Sequence, residues 1–181
     1  RILLESIPSD GEDLHRFIEA MKRSVRIEVI YHRYAAKEDS KMTVEPYCVK
    51  LFKRRWYALV KSIKYGHYTT LAFDRIKSIS LTTDKFTLDA DFDAAAWFKE
   101  CYGIVHDDEE LQTIRIRAFK QEVFYMRDLP LHYSQKEVET TEDWSDFEIT
   151  IRPTADFFSP LLSRGPLIQL MEPQWLADEI K

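Results

Sequence analysis

Arg54-Arg55-Trp56-Tyr57-Ala58-Leu59-Val60 is the stretch around which the rest of the sequence organises. Arg55, Tyr57, Leu59 and Lys61 alternate against Trp56, Ala58 and Val60, which reads as a buried strand with a basic edge. Between Glu45 and Asp74 the sequence has no acidic residue, yet it carries Lys50, Lys53, Arg54, Arg55, Lys61 and Lys64. In a chain of net charge -5 this is a marked segregation of charge. An aromatic pair beside a positive cluster suits an anion with flat rings, such as a nucleotide or an unpaired nucleic-acid strand. The same residues also fit a plainer reading, in which Trp56 and Tyr57 are core aromatics and the bases a solvated rim. From these residues alone the plainer reading is the stronger.

Outward from this strand the flanking segments read as short strands with close turns. Residues 43–52 pair with 54–63 as a hairpin, with Lys53 near its tip. Upstream, Leu14, Phe17, Ile18 and Met21 fall at helical spacing and predict an amphipathic helix over 12–24, with Ser9 and Glu12 at capping-box spacing. The period then becomes two, and Val25, Ile27, Val29 and Tyr31 share one face of a strand. That strand ends in the aromatic and basic run Tyr31-His32-Arg33-Tyr34. Downstream of the turn at Gly66, 68–73 and 75–81 read as two more strands. Five short strands with no intervening helix imply a small antiparallel β-barrel of SH3 type, filled by its own side chains, so that a ligand sits on its rim or outer face. A helix from Asp93 carries Ala94, Trp97, Phe98 and Cys101 and is expected to end at Gly103.

The acidic run Asp107-Asp108-Glu109-Glu110 marks a boundary, after which the pattern becomes strand, helix, strand, strand, helix, strand. The strands fall at 111–119, 132–140, 144–152 and 167–171. The first helix covers 120–129 with Val123, Phe124 and Met126 inward. The second covers 155–163, capped by Thr154 and followed by Gly165, and a terminal helix opens at Pro173 with Trp175, Leu176 and Ile180. This order implies a ferredoxin-like βαββαβ domain, and the whole chain is expected to be α+β.

The composition narrows the function. No run of residues is apolar for long enough to cross a bilayer as a helix, so no membrane partner is expected. Cys48 and Cys101 lie on apolar faces and read as reduced core thiols of a cytoplasmic protein. The four glycines are isolated, the five histidines are dispersed, and no nucleophile motif is present. No cofactor, metal site or catalytic residue is therefore assigned, and the chain is expected not to be an enzyme. Asp89-x-Asp91-x-Asp93 with Glu100 has the spacing of a calcium loop, but Ala94 stands where that loop requires glycine.

Three segments resemble the WYL-domain regulators of bacteria. They are Phe17–Met21 leading into Ile27–Tyr31, Glu45-Pro46-Tyr47 through Arg55-Trp56-Tyr57-Ala58-Leu59, and Leu71-Ala72-Phe73-Asp74-Arg75-Ile76. The C-terminal half is similar to the extension that commonly follows a WYL domain. The resemblance implies a linker and helix at 1–24, an SH3/Sm-like WYL barrel with a trailing helix at 25–104, and a ferredoxin-like extension at 105–181. It implies an effector-sensing module behind an upstream helix-turn-helix that binds operator DNA, and a homodimer. Its basic and aromatic positions map to Tyr31, Arg55, Trp56, Tyr57 and Arg75, and Arg33 and Lys50 join them as candidate ligand-binding residues. Arg55 is the strongest of these, because no acid lies near it in sequence; Arg75, following Asp74, fits a structural ion pair as well as a ligand contact. Two departures stand out: Ala58 is inserted in the namesake triplet, and Ala72 replaces an arginine that many members carry. A protein-interaction or dimerisation module and a nucleic-acid hydrolase are the alternative functions.

Overall fold

The structure is a computed structural model that describes residue 7 and residues 11–106 and 109–179. The Ser9 cap, the apolar residues Ile2–Leu4, Asp107-Asp108 and Ile180 lie outside the described residues. The chain divides into two compact units, Arg1–Ala94 and Ala95–Lys181, each built on its own antiparallel sheet.

In the first unit, helix α1 (Gly11–Arg23) precedes strands β1 (Val25–Tyr31), β2 (Ser40–Phe52), β3 (Arg55–Ser62), β4 (Tyr68–Ala72) and β5 (Ile76–Lys85). The strands lie in the order β4-β3-β2-β1-β5, and no β4–β5 pairing closes the sheet among the described residues. A register shift at Pro46/Cys48 bends β2, so that its first half pairs with β1 and its second with β3. The alternation expected of β1 is observed: Val25, Ile27, Val29 and Tyr31 are all buried. They pack with Phe17 and Ala20 of α1 and with Val44, Ala58, Val60, Leu71 and Ile79. Ser24, at φ 50°, ends α1 in the left-handed region and turns the chain directly into β1.

The β2–β3 hairpin has a two-residue turn in which Lys53 and Arg54 both sit at positive φ, 45° and 64°. A two-residue hairpin favours this geometry because its twist matches that of the strands, but side chains with a Cβ occupy it at a cost. The double substitution Lys53→Asn with Arg54→Gly is expected to raise the stability of the chain by about 1 kcal/mol, read as a higher midpoint in thermal denaturation.

The opposite side of this sheet is covered by the segment after β5. Tyr47 packs edge-on against Tyr68 and Phe92, and Phe92 stacks on Tyr68 with ring centroids 5.3 Å apart. Asp89 holds the segment down by an ion pair with Lys61 at 2.6 Å and a hydrogen bond from the Tyr68 hydroxyl. The first aspartate of the calcium-like spacing is thus engaged by protein groups. Among the described residues no cluster of His, Cys, Asp or Glu is placed to hold a metal ion.

A short α2 (Ala94–Lys99) spans the boundary between the units. The second unit then contains β6 (Gln112–Phe119), α3 (Glu122–Asp128), β7 (Lys136–Thr140), β8 (Trp144–Ile151), α4 (Ala155–Ser163), β9 (Ile168–Glu172) and α5 (Gln174–Glu179). Its sheet order is β7-β8-β6-β9, with every neighbouring pair antiparallel. Ile114, Ile116, Phe147, Ile149 and Ile151 form the apolar face against Val123, Met126, Phe157, Leu161 and Leu176. The other face holds Asp146, whose side chain is 0% exposed, beneath Arg115 and Arg117. Arg117 donates to both of its carboxylate oxygens, at 2.7 and 3.0 Å, and stacks on Trp144.

Several local expectations are corrected here. α2 ends at Lys99, well before Gly103, because Cys101 leaves the helix to bridge Arg152. Phe124 points outward and is 63% exposed, since a seven-residue helix buries only the Val123–Met126 side. Thr154 precedes α4 but does not cap it; its hydroxyl donates to Asp156 Oδ1 at 2.5 Å. Asp156 in turn accepts the backbone N–H groups of Ile104 and Val105, at 2.8 and 3.2 Å. Residues 73–75 form a 3₁₀ turn between β4 and β5, so Asp74 and Arg75 are turn residues rather than strand residues.

Candidate functional site

The end of β1, the start of β3 and the 3₁₀ turn meet at one end of the first sheet. β3 pairs with β4 so that Tyr57 lies opposite Ala72, the residue just before that turn. The backbone N–H of His32 donates to the Arg75 carbonyl at 2.9 Å, which ties the turn to the end of β1. Tyr31 closes the connection from below: its buried hydroxyl accepts the Ala72 N–H at 3.3 Å. Burial pushes the pKa of this tyrosine up, so it remains a neutral phenol that can present its ring to a cation.

Two guanidinium groups converge here and differ in their partners. The Arg75 guanidinium stands 5.1 Å from the Tyr31 ring centroid and 4.4 Å from that of Tyr34. Its Nε is buried without a hydrogen-bond partner, and no carboxylate pairs with it among the described residues. A buried cationic donor left unmatched costs free energy that an arriving anion would recover. Arg55, by contrast, is taken up by Asp74. Its Nη2 donates to both carboxylate oxygens, at 2.8 and 2.6 Å, and to the Tyr34 hydroxyl at 3.3 Å. The Asp74 hydrogen bonds raise the pKa of Arg55 above its ordinary value. Its guanidinium carbon also lies 5.6 Å from the Tyr57 ring centroid.

The structure thus brings together Tyr31, Arg55, Tyr57 and Arg75. Trp56 is placed elsewhere: it packs against the apolar core that holds Ala58 and Val60, as the plainer reading of that aromatic required. Lys50 extends along β2 over the Phe52 ring, 5.9 Å from its centroid. Arg33 is exposed in the β1–β2 connection, where its carbonyl accepts the Ala36 N–H. The expectation that Arg55 faces no acid is overturned, because the β3–β4 hairpin carries Asp74 back across nineteen residues to meet it. The Asp74–Arg75 pairing also does not form, since the turn points the two side chains to different partners. Asp74, which the sequence marks only as part of the functional edge Asp74-Arg75, and Tyr34 join the cluster from outside the candidate ligand-binding set. Tyr34 had a signal in the run Tyr31-His32-Arg33-Tyr34; Asp74 had one only in its place beside Arg75.

Position 72 is itself informative. Ala72 is fully buried in β4 opposite Tyr57, so an arginine here would have to extend past that ring to reach solvent. Arg55 and Arg75 supply the cations in contact with the tyrosines of the cluster, and Lys50 lies opposite Tyr57 on β2.

Sheet and cluster together define a mixed α+β protein with an arginine–tyrosine site on its first unit. Residues 12–81 match the WYL domain family, and the chain carries a WYL domain over that range. No curated protein sequence matches the chain. Among solved structures, it is similar to a CRISPR Cas-related protein at 12% identity and a TM-score of 0.58, over 94% of this chain and 49% of that one. It is also similar to proteasome accessory factor B/C of Arthrobacter aurescens, at 19% identity and a TM-score of 0.48, over 98% of this chain and 27% of that one. The chain thus spans about a quarter to a half of the length of these structural relatives. Among the described residues no helix is long and apolar enough to cross a membrane.

Proposed function

We propose that this chain is the effector-sensing part of a bacterial transcriptional regulator, binding a phosphate-bearing anion, either a nucleotide or single-stranded nucleic acid. The observation that carries the reading is Arg75, a guanidinium in contact with two tyrosine rings and with a buried, unmatched Nε. The two rings orient the fork, and Tyr34, 74% exposed, offers a face on which a base can stack. Arg55 is the second cation, and Arg33 and Lys50 add to the local positive field. The chain in this reading binds its ligand and is not an enzyme. In this reading the first unit is an SH3/Sm-like sheet and the second a ferredoxin-like extension, the latter supported by the order β7-β8-β6-β9. The WYL domain supports the regulatory role, with operator DNA contacted by a separate helix-turn-helix and the protein acting as a homodimer.

The test is a titration of the chain into fluorescein-labelled oligo(dT) of about ten nucleotides, and in parallel into labelled ATP, at low and at high salt. Release of counterions from two neutralised phosphates weakens binding by about five- to tenfold when salt rises about fourfold. Absence of binding to both probes at low salt would remove the anion reading and leave the chain as an interaction module.

A further inference from the structure

Asp74 occupies Arg55, the cation that shares Tyr34 with Arg75, and its grip differs from that of the two-nitrogen Arg127–Glu137 pair. Both of its oxygens converge on a single nitrogen, Arg55 Nη2. Arg127, in contrast, grips Glu137 with Nε and Nη2 together, at 2.9 and 2.5 Å, and Asp146 is held under two arginines with no exposure. The Arg55–Asp74 pair is 33% exposed on the arginine side and 39% on the aspartate side, about as open to solvent as Arg127–Glu137, so the two differ in geometry rather than in exposure. Water and solutes reach both partners, so the pair is of the weak, exchangeable kind. Its acid is also adjacent in sequence to Arg75, on the same 3₁₀ turn.

We infer that Asp74 is a built-in competitor for the ligand, a carboxylate that keeps Arg55 engaged until an incoming phosphate displaces it. The inference rests on the anion-binding reading above and deepens it. No covalent bond is made or broken; one oxyanion replaces another on the guanidinium. A phosphate carries more charge and more acceptor oxygens than the carboxylate it must displace, so the exchange favours phosphate groups over singly charged carboxylate metabolites. Tyr34 transmits the change between the two cations. Its hydroxyl accepts from Arg55 Nη2 while its ring lies against Arg75, so a shift of Arg55 toward an incoming phosphate alters a contact shared with the neighbouring guanidinium. The site then has a threshold: weak anions meet Arg75 alone, and only a ligand able to displace Asp74 engages both arginines.

The experiment compares the chain with Asp74→Asn, Arg55→Met and the Arg55→Met/Asp74→Asn double variant, using the same labelled oligo(dT) at two salt concentrations. Asp74→Asn is expected to bind about tenfold more tightly, with a steeper salt dependence, and the gain should vanish in the Arg55→Met background. Unchanged or weaker binding by Asp74→Asn overturns the inference. So does a gain of equal size in the Arg55→Met background, which would make Asp74 a general repulsive charge rather than a competitor for Arg55. Failure of every protein, including the parent, to bind would instead sink the anion-binding reading itself. Asp74→Ser, with melting curves for all variants, separates loss of fold from loss of competition.

Discussion

Replacing Arg75 with methionine should reduce binding of labelled oligo(dT) and of ATP at low salt by at least about a hundredfold, while the thermal midpoint moves little. The expectation follows from the environment of the side chain. Methionine keeps an unbranched apolar side chain beside Tyr31 and Tyr34, where the guanidinium now lies, so the packing of the two rings is largely retained. What is lost is a charged donor with a buried nitrogen that has no protein partner. Charge-assisted hydrogen bonds to a desolvated anion contribute about 1.5–3 kcal/mol each, and the planar fork can make two. Removal of an unmatched cation also relieves a cost in the ligand-free protein, so the variant is expected to be as stable as the parent. Arg55→Met should weaken binding less, because that guanidinium is already satisfied by Asp74. Equal losses in the two variants, measured by fluorescence anisotropy, would show that the two arginines are equivalent and that Arg75 has no special place.

The largest loss of stability is expected from Asp146→Ala. Its carboxylate is wholly buried and receives hydrogen bonds from Arg115 Nε at 2.8 Å and from two nitrogens of Arg117. Truncation leaves two cations facing each other over the site where the acid was, and breaking a buried ion network by removing one partner costs about 3–5 kcal/mol. The second unit should therefore unfold at lower denaturant than the first, turning one transition into two or advancing the second. Denaturation followed by circular dichroism measures this directly, with the exposed tryptophan Trp175 as an additional reporter in the second unit.

The same carboxylate makes the unit acid-labile. Burial raises its pKa, but the hydrogen bonds and charges of Arg117 and Arg115 outweigh this and hold it below the usual carboxylate value. Because the folded value lies below the unfolded one of about 3.9, the stabilisation is present in full above that range. It is lost as pH falls from about 4 through the depressed folded value. Asp146→Asn should flatten this part of the stability profile at the same time as it lowers the plateau.

Much of the fold was legible because side-chain period reports directly on burial. The alternation of Val25, Ile27, Val29 and Tyr31, the helical spacing of Leu14, Phe17 and Met21, and the strand and helix order of the second half all describe faces, and faces are local properties of a chain. The hairpin at Lys53 was legible from charge and alternation, although without an Asn-Gly pair to announce the turn type. The illegible parts depend on pairing across distance. Nothing near Arg55 in sequence indicates that Asp74 will be brought to it, because that contact is set by the length of β3, the β3–β4 hairpin and the 3₁₀ turn together. Phe124 was misplaced for a related reason. A single aromatic in a short element carries too little periodic information to say which face is covered, and a neighbouring layer decides. Gly103 was read as a helix end on residue type, whereas the hydrogen-bonding needs of Cys101 and Arg152 ended the helix earlier.

The buried acid of the second unit has one more consequence, for how the chain chooses among its own misfolded forms. Along β8 the residues alternate strictly, with Phe147, Ile149 and Ile151 on one side and Asp146 on the other. A slip of one residue against β6 would turn every side chain over, driving Asp146 into the layer of Val123, Met126 and Phe157 while Phe147 met Arg115 and Arg117. A misregistered sheet thus carries an unpaired charge in oil and two stranded cations in the place of their partner. The ion cluster penalises the wrong alignment of β8 as well as stabilising the right one.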